Sequence, residues 1–392
     1  MLAKQIRIPD WVGNVRLSRL FEVMGADADM YFVGGCVRDT LLERPIGDID
    51  LATSLQPEET RKRLEDAGIK VFVWGIGHGT VTAYLDDTHF EITSFREDVV
   101  TDGRHAKVSF TKDMKSDAQR RDFTVNALYL DKEGQLYDPT GQGLKDIEGQ
   151  NLHFIGRAEE RLREDYLRAY RYFRFCAELE WDITPDYLPL FYAVREHYTL
   201  ISSERKIHEL TKIFACKNPA EILRQMAEVG LITLYDDAQE CGRLRRFFQY
   251  QIRYNAYSFY SRFFACFMGC GSDVSGLYDT LSSATRTDIK TLQKTVLFLG
   301  QNSSCQPAEL LYRFGRDAAL QACLWMQKND DYIEDICHAD IPAFPLTGAD
   351  VMRAGMKEGP EIGAGIKKAE EAWIASGFQL SLEELVKTAC RG

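Results

Sequence analysis

Two aspartates one residue apart, Asp48 and Asp50 in the run Gly47-Asp-Ile-Asp, are the first residues whose types and spacing suggest chemistry. On a strand, side chains alternate faces, so the two carboxylates point the same way. Carboxylates that close repel each other unless a cation neutralises them, and hard oxygen ligands suit Mg²⁺. Most Asp-x-Asp pairs are solvated surface acids, so this one depends on its context. Upstream, Gly34-Gly35 lies between a strand-like run and a helix-like run. Glycines let backbone N–H groups approach a phosphate closely, and a helix N-terminus adds a favourable dipole. Arg38, one turn into that helix, is suited to be a mobile clamp for an anionic oxygen. The plain alternative is a tight turn with a surface arginine. Taken together, the three features suggest a triphosphate bound over metal ions.

Two further clusters carry charge in usable patterns. Arg120-Arg121-Asp122 precedes the apolar run Phe123 to Ala127. It can hold phosphate or ribose oxygens, or it can be a solvated helix cap with Asp122 capping. Arg161, Asp165, Arg168, Arg171 and Arg174 fall in one helix-like stretch, with Asp165 and Arg168 on a shared face. The commoner reading of such a pattern is an ion-pair ladder on an exposed helix. The sharper reading is that a carboxylate beside a guanidinium offers an acceptor next to a donor. That matches the amino and ring-nitrogen edge of cytosine and of adenine, whereas uracil and guanine present the reverse and leave buried groups unpaired. Residues 242–264 add five arginines, including Arg243, Arg245 and Arg246, and nine aromatics with no acid. The segment suits RNA, or else it is a core helix with aromatics inside and arginines outside.

Other signals are rejected. Cys266 and Cys270 lack a second Cys or His pair, so zinc is not expected there. The glycines of the run GIGHGT at 75–80 do not fit the dinucleotide fingerprint, and no P-loop, nucleophile elbow or HExxH helix is present.

These residues must be held by elements, and the chain divides into two textures. Up to about residue 155, short β-rich runs alternate with helical ones. YFV, a Gly-Gly turn and CVRDTLL read as strand, turn and helix; IGDIDLAT reads as a strand; PEETRKRLEDAG reads as a helix from Pro57 to about Gly68. The polar stretch from Arg96 to Gln119 reads as a loop with some mobility, and RRDFTVNALYLDKEG as helix then strand. Beyond 155 the pattern is helix after helix. The 392 residues are 45% hydrophobic and 27% charged, which is ordinary globular composition and excludes a disordered or collagen-like chain. No apolar run approaches the roughly 18 residues of a membrane span, and the opening residues lack a secretory core. Ten scattered cysteines then read as reduced thiols in a cytoplasmic protein. A net charge of −11 leaves room only for local basic surfaces.

In order along the chain, YFVGGCVRDTLLERPIGDIDLAT, RRDFTVNA, DPTGQGLKDIEG, REDYLRAYRYFRF and SSERKIHELTKIF resemble the motifs of bacterial class II tRNA nucleotidyltransferases, the CCA-adding enzymes. That group shares its head with bacterial poly(A) polymerases. The motifs span about residues 31–215, with weaker likeness in FPLTGADVMRAGMKEGPEIG near the C-terminus. The resemblance implies an α+β fold: a polymerase-β-like head with a small mixed sheet at 1–155, then an all-helical neck at 156–215, body at 216–300 and tail at 301–392. It implies that Asp48 and Asp50 hold two Mg²⁺ ions, with Glu91 as a further carboxylate. It also implies triphosphate contacts from Gly35, Arg38, Arg121, Arg171 and Arg174, and reading of the base edge by Asp165 and Arg168. The expected partners are tRNA, held at its 3′ end, acceptor and TΨC arms, with CTP and ATP as substrates and no obligatory protein partner.

Two departures bear on that expectation. The fourth motif commonly runs Glu-Asp-Pro-Leu-Arg, and here Tyr166 stands where proline is usual. The loop TDGRHAKVSF is full-length and charged, with Asp102, Arg104 and Lys107, which favours complete CCA addition over addition of CC alone. The rival expectations are an A-adding enzyme, a poly(A) polymerase, or a catalytically silent RNA-binding protein on the same fold.

Overall fold

The computed structural model describes residues 2–72, 79–102, 105–234, 241–268 and 274–391. Within them the chain forms two compact units, one of residues 1–213 with 225–232, the other of 214–224 with 233–392.

The first unit opens with β1 (Leu2–Gln5), α1 (Val15–Met24), β2 (Tyr31–Val33) and α2 (Gly35–Leu41). It continues through β3 (Asp50–Thr53), α3 (Pro57–Asp66), β4 (Lys70–Phe72), β5 (Thr80–Leu85) and β6 (Thr88–Ser94). The run PEETRKRLEDAG is helical for the reasons its sequence gives: Pro57 sits in the first turn with Glu58 and Glu59, and Gly68 takes φ +73° just beyond the end. Next come β7 (Arg96–Asp102), β8 (His105–Phe110), α4 (Met114–Arg120), β9 (Tyr129–Leu130) and β10 (Gln135–Tyr137). The stretch expected to be a loop is therefore an antiparallel hairpin of β7 and β8 followed by α4. Val100, Thr101 and Ala106 lie in its paired strands, and the β-forming Val and Thr were a signal that the polar composition masked.

Eight strands make one mixed sheet in the order β1-β10-β9-β2-β3-β6-β5-β4, with β3 and β6 its parallel pair. Its two faces differ. Leu51, Val81, Ala83, Leu85, Phe90 and Ile92 are buried on one, where α3 packs on β4 and β5. On the other face Tyr31, Val33, Ala52 and Tyr129 cluster with Phe95, Met114 and Ala118, so α4 covers the β9-β2-β3 portion. Asp50 stands on this second face, at the border of the covered part.

No β-strand among the described residues follows β10. The first unit goes on with α5 (Gly143–Gly149), α6 (Ala158–Glu164), α7 (Leu167–Leu179) and α8 (Leu188–Ala193), then most of α9 (Ser203–Ala215). Phe123, Phe154, Tyr172 and Phe191 form the aromatic core linking α7 to the sheet end of the unit. The second unit contains most of α10 (Ala220–Glu228), then α11 (Cys241–Arg253), α12 (Phe259–Phe267) and helices that run on to Leu382–Cys390. Its last helices close over Leu346, Val351, Trp373 and Leu385. No helix among the described residues is long and apolar enough to cross a membrane. Cysteines are free thiols wherever they are assigned.

Candidate active site

Gly34 ends β2 at φ +78°, a conformation that side chains with a Cβ rarely adopt, and α2 starts on the next residue. A Cβ at Gly34 would also meet Asp50 Oδ2, Arg121 Nη1 and the Asn126 carbonyl, each at 3.9 Å. The glycine thus brings the strand-to-helix turn close to β3 and to the Arg120-Arg121-Asp122 segment. A cavity of about 550 Å³ opens at this meeting point.

Asp48, Asp50, Gly35, Arg38, Arg121, Asp165, Arg168, Arg171 and Arg174 all line this one cavity. Its wall carries eight basic side chains against six acidic ones. Glu91 is not part of that wall. It lies directly across the parallel pairing from Asp50, exposed on the same sheet face. Among the described residues no trio of acidic, His or Cys side chains is gathered tightly enough to hold a metal ion by itself.

The arrangement differs from the expectation at several residues. Asp48 is not on a strand: β3 begins at Asp50, and Asp48 is exposed in the segment before it. Both carboxylates nevertheless face the cavity. Burial, Glu91 and Asp48 push the Asp50 carboxyl up to about 6, against the opposing pull of Arg121. Arg38 is not a mobile clamp. It is 6% exposed, its Nε donates to Asp39 Oδ1 at 2.9 Å, its Nη1 donates to Asn126 Oδ1 at 2.8 Å, and its guanidinium lies 5.1 Å from the Phe175 ring centre.

Arg121 ends α4 and is fixed from behind. Its Nη2 donates to Asp117 Oδ2 at 3.0 Å and its Nε to the Tyr129 hydroxyl at 3.1 Å. Burial raises the Asp117 carboxyl, but the guanidiniums of Arg121 and Arg120 outweigh this and hold it at about 2. Asp122 does not cap a helix. The apolar run after it is a single 3-10 turn, Thr124–Asn126, and Asp122 Oδ2 instead accepts from Arg171 Nε at 2.7 Å. Arg161 brackets the segment, donating from Nη2 to the carbonyls of Arg120 and Arg121 at 2.6 Å each.

The stretch from Arg161 to Arg174 is two helices, not one. It breaks at Asp165, where φ is −154°, and Asp165 Oδ1 accepts from the Leu167 N–H at 3.1 Å to start α7. Asp165 and Arg168 still line the cavity together, but each is tied elsewhere. Arg205 Nη2 on α9 donates to Asp165 Oδ2 at 2.6 Å. Arg168 pairs with Glu164 and donates to the Arg161 carbonyl at 2.8 Å. Arg174 is buried between Glu209, at 2.5 Å, and Glu178, at 2.8 Å. Sequence reasoning assigned no role to Arg205, Glu209 or Lys212. Their i, i+4, i+7 spacing on α9 was the available signal, since it puts all three on one helix face.

In the second unit, Arg245 and Arg246 are exposed on α11, and Arg245 comes within 3.7 Å of Glu221. Arg243 lies 5.2 Å from the Trp325 ring centre. Phe247, Phe248, Phe263 and Phe264 are core residues. Arg262 is completely buried rather than outside, donating to the carbonyls of Phe214, Cys216 and Lys217. Arg104, Cys270 and most of the run at 75–80 lie outside the described residues, as do the side chains of Asp102 and Lys107.

Comparison with known proteins gives consistent findings. Residues 30–153 match the model of the "Poly A polymerase head domain", and residues 193–234 that of the "Probable RNA and SrmB- binding site of polymerase A". The chain is 31% identical to the mitochondrial CCA tRNA nucleotidyltransferase 1 of Danio rerio, covering 96% of this chain and 90% of that protein. It is 45% identical to the CCA-adding enzyme of Streptococcus uberis over 51% of this chain and 49% of that one. Among solved structures, the Bacillus stearothermophilus CCA-adding enzyme in complex with CTP superposes with a TM-score of 0.75 at 26% identity, over 92% of both chains. The Thermotoga maritima CCA-adding enzyme complexed with tRNA shares the fold, with a TM-score of 0.73 at 20% identity over 99% of both chains.

Proposed function

The chain belongs to the CCA tRNA nucleotidyltransferase family, and on that premise we propose that it adds C, C and A in turn to the 3′ end of tRNA, drawing on CTP and ATP without a template. The observation that carries this reading is the convergence on one cavity of Asp48 and Asp50, a glycine turn, seven arginines and Asp165. In each cycle the terminal 3′ oxygen of the RNA bonds to the α-phosphorus of the nucleotide. The bond to the departing pyrophosphate breaks, and the hydroxyl proton is lost.

Asp48 and Asp50 are the residues that would hold Mg²⁺. The donor set fits the ion: two hard oxygen donors face the cavity, and the Asp50 carboxyl, raised by burial first and then by Glu91, is one whose charged form a divalent cation would favour. Ions bound there supply a Lewis acid for the attacking hydroxyl and charge to neutralise pyrophosphate. Glu91, beside Asp50 in register, is assigned as a supporting third carboxylate.

Arg38, Arg121 and Arg171 are assigned to the anionic oxygens of the triphosphate, and Gly35 lets the backbone come near it. Each guanidinium is already oriented by an acid on the protein, so little side-chain freedom is lost when nucleotide binds. Arg174, more deeply buried, completes that wall. Asp165 and Arg168 are assigned to the base edge, where a carboxylate acceptor and a guanidinium donor suit cytosine and adenine alike.

The reading extends to the rest of the chain as a head at 1–155, neck at 156–215, body at 216–300 and tail at 301–392. The helical parts would hold the acceptor and TΨC arms by shape and phosphate, with Arg243, Arg245 and Arg246 among the phosphate contacts. A tRNA substrate and free thiols support a place in the cytoplasm.

The test uses three tRNA transcripts, ending before CCA, after C and after CC, each with Mg²⁺ and with CTP, ATP, both, UTP or GTP. Three residues added to the first transcript, and no more, are expected. A single A added only to the CC-ended transcript would make it an A-adding enzyme. Long A ladders on unrelated RNA would make it a poly(A) polymerase, and no extension would leave an RNA-binding protein.

A further inference from the structure

Among the described residues, half of the sheet face that carries Asp50 lies outside the part covered by α4, and it is not bare. Residues opposite one another in register share a face. Asp50 lies opposite Glu91, Glu91 opposite Thr82, and Thr82 opposite Phe72. A parallel row runs from His89 through Tyr84 to Lys70. The rings touch one another: Phe72 and Tyr84 meet edge to face at 5.1 Å between centroids, and Tyr84 and His89 lie 5.9 Å apart. Lys70 Nζ sits 5.0 Å from the Phe72 ring centre. Phe72 is 41% exposed and Tyr84 37%, although Val81, Ala83 and Leu85 of β5 are buried on the opposite face.

We propose that Phe72 and Tyr84 form a stacking platform for the unpaired 3′-terminal bases of the tRNA being extended. The proposal rests on the function given above. Three observations carry it. First, the platform and Asp50 share one continuous face, with Phe72 three strand spacings, or about 14 Å, from Asp50, which is within reach of the last few nucleotides of a strand whose end is at Asp50. Second, the substrate end changes at each addition, and stacking on an aromatic ring accepts any base, whereas hydrogen-bond readout would not. Third, the charge around the rings is mixed: Lys70 and His89 stand among Asp87 and Glu91, with Asp86 held by Arg16 at 2.9 Å. A purely electrostatic track for phosphates would be basic throughout, so the mixed charge favours a contact made by the rings over one made by phosphates.

The test uses the full chain and a tRNA transcript ending before CCA, with 2-aminopurine as its last base. Binding is expected to quench the fluorophore by stacking. The double variant Phe72→Ala/Tyr84→Ala should relieve the quench and raise KM for tRNA at least about five-fold, leaving KM for CTP unchanged. Single variants are expected to give intermediate values, and Tyr84→Trp should keep both quench and KM, which separates stacking from any loss of fold. An unchanged quench and tRNA KM in a double variant that melts like the wild type would overturn the platform. So would a double variant that loses only self-association, which would assign the rings to a second copy of the chain. If the wild-type protein binds and quenches but extends no transcript, the failure belongs to the enzymatic reading and not to the platform.

Discussion

Arg205 Nη2 donates to Asp165 Oδ2 at 2.6 Å, so the carboxylate assigned to the base edge is held by a helix from a later motif. The same carboxylate uses its other oxygen to accept from the Leu167 N–H and start α7. Asp165 is thereby fixed from two sides, with neither bond depending on Arg168. A carboxylate has lone pairs to spare, so these two bonds leave capacity for a base amino group.

Loss of that hold should show in selectivity before it shows in binding. Arg205→Ala is expected to raise incorporation of UTP relative to CTP by about tenfold, because an unanchored Asp165 can move away from a mismatched edge. Arg205→Lys should retain part of the discrimination, since it restores charge but not the planar fork. Asp165→Ala and Arg168→Ala should erode selectivity further while tRNA affinity stays within two-fold, about 0.4 kcal/mol. Single-turnover incorporation with each nucleotide measures this; unaltered ratios would remove the three residues from base reading.

A second prediction concerns the support behind Arg121. Asp117 is buried and pairs with Arg120, Arg121 and the Tyr129 hydroxyl. Its folded value of about 2 is below the unfolded 3.8, so the stability it contributes is present above about pH 4 and is lost as pH falls toward 2. Asp117→Ala should cost about 3–5 kcal/mol at neutral pH, because it strands buried cations. Where the variant still folds, KM for CTP should rise by about tenfold as Arg121 loses its orientation. Denaturant melts between pH 7 and pH 3 check the first part: the gap between variant and wild type should narrow on acidification.

The sequence displayed some of this and hid the rest for identifiable reasons. The Gly34-Gly35 turn, α2 and β3 were legible because each rests on local chemistry: a glycine at positive φ, a helix start, a β-alternation. The break at Asp165 was hidden because its usual punctuation is missing. Tyr166 occupies the position where proline would announce a helix start, yet it keeps φ −63°, a value proline would also adopt. Its ring stacks on His197 at 4.8 Å instead. Arg205 and Glu209 act through partners 40 and 35 residues away, Asp165 and Arg174, and no local window contains such a pairing. The β7–β8 hairpin was obscured by polar residues on strands that do not belong to the main sheet.

Asp50 makes the opposite pH prediction from Asp117. Burial, Glu91 and Asp48 raise it to about 6 in the folded chain, against 3.8 unfolded. Its ionised form therefore weakens the metal-free fold: the penalty is full above about pH 6 and vanishes as pH falls below 4. Asp50→Asn should abolish nucleotide addition and yet stabilise the metal-free protein at pH 8 by roughly 1–3 kcal/mol, with little difference at pH 4. Urea unfolding in EDTA at the two pH values measures it. A variant less stable than the wild type at pH 8 would show that Asp50 is satisfied by protein groups alone, and the fit to a cation would fail.

The last prediction separates the two uses of arginine in residues 242–264. Arg262 is sealed among carbonyl oxygens of Phe214, Cys216 and Lys217 and the ring of Phe248, so it stabilises the helical unit and cannot meet a phosphate. Arg245 and Arg246 are exposed on α11, next to buried Phe247 and Phe248 that fix the helix they stand on. Each phosphate contact releases condensed counterions, so removing two should flatten the dependence of log tRNA affinity on log salt by about one to two units. Arg245→Ala/Arg246→Ala should show that change with less than about 0.5 kcal/mol lost in stability, as expected for exposed side chains. Arg262→Ala should instead lower the melting temperature. Where it still folds, its salt slope should match the wild type. Filter binding from low to moderate salt decides between the roles. A wild-type slope in the double variant would leave this face of α11 without a phosphate contact.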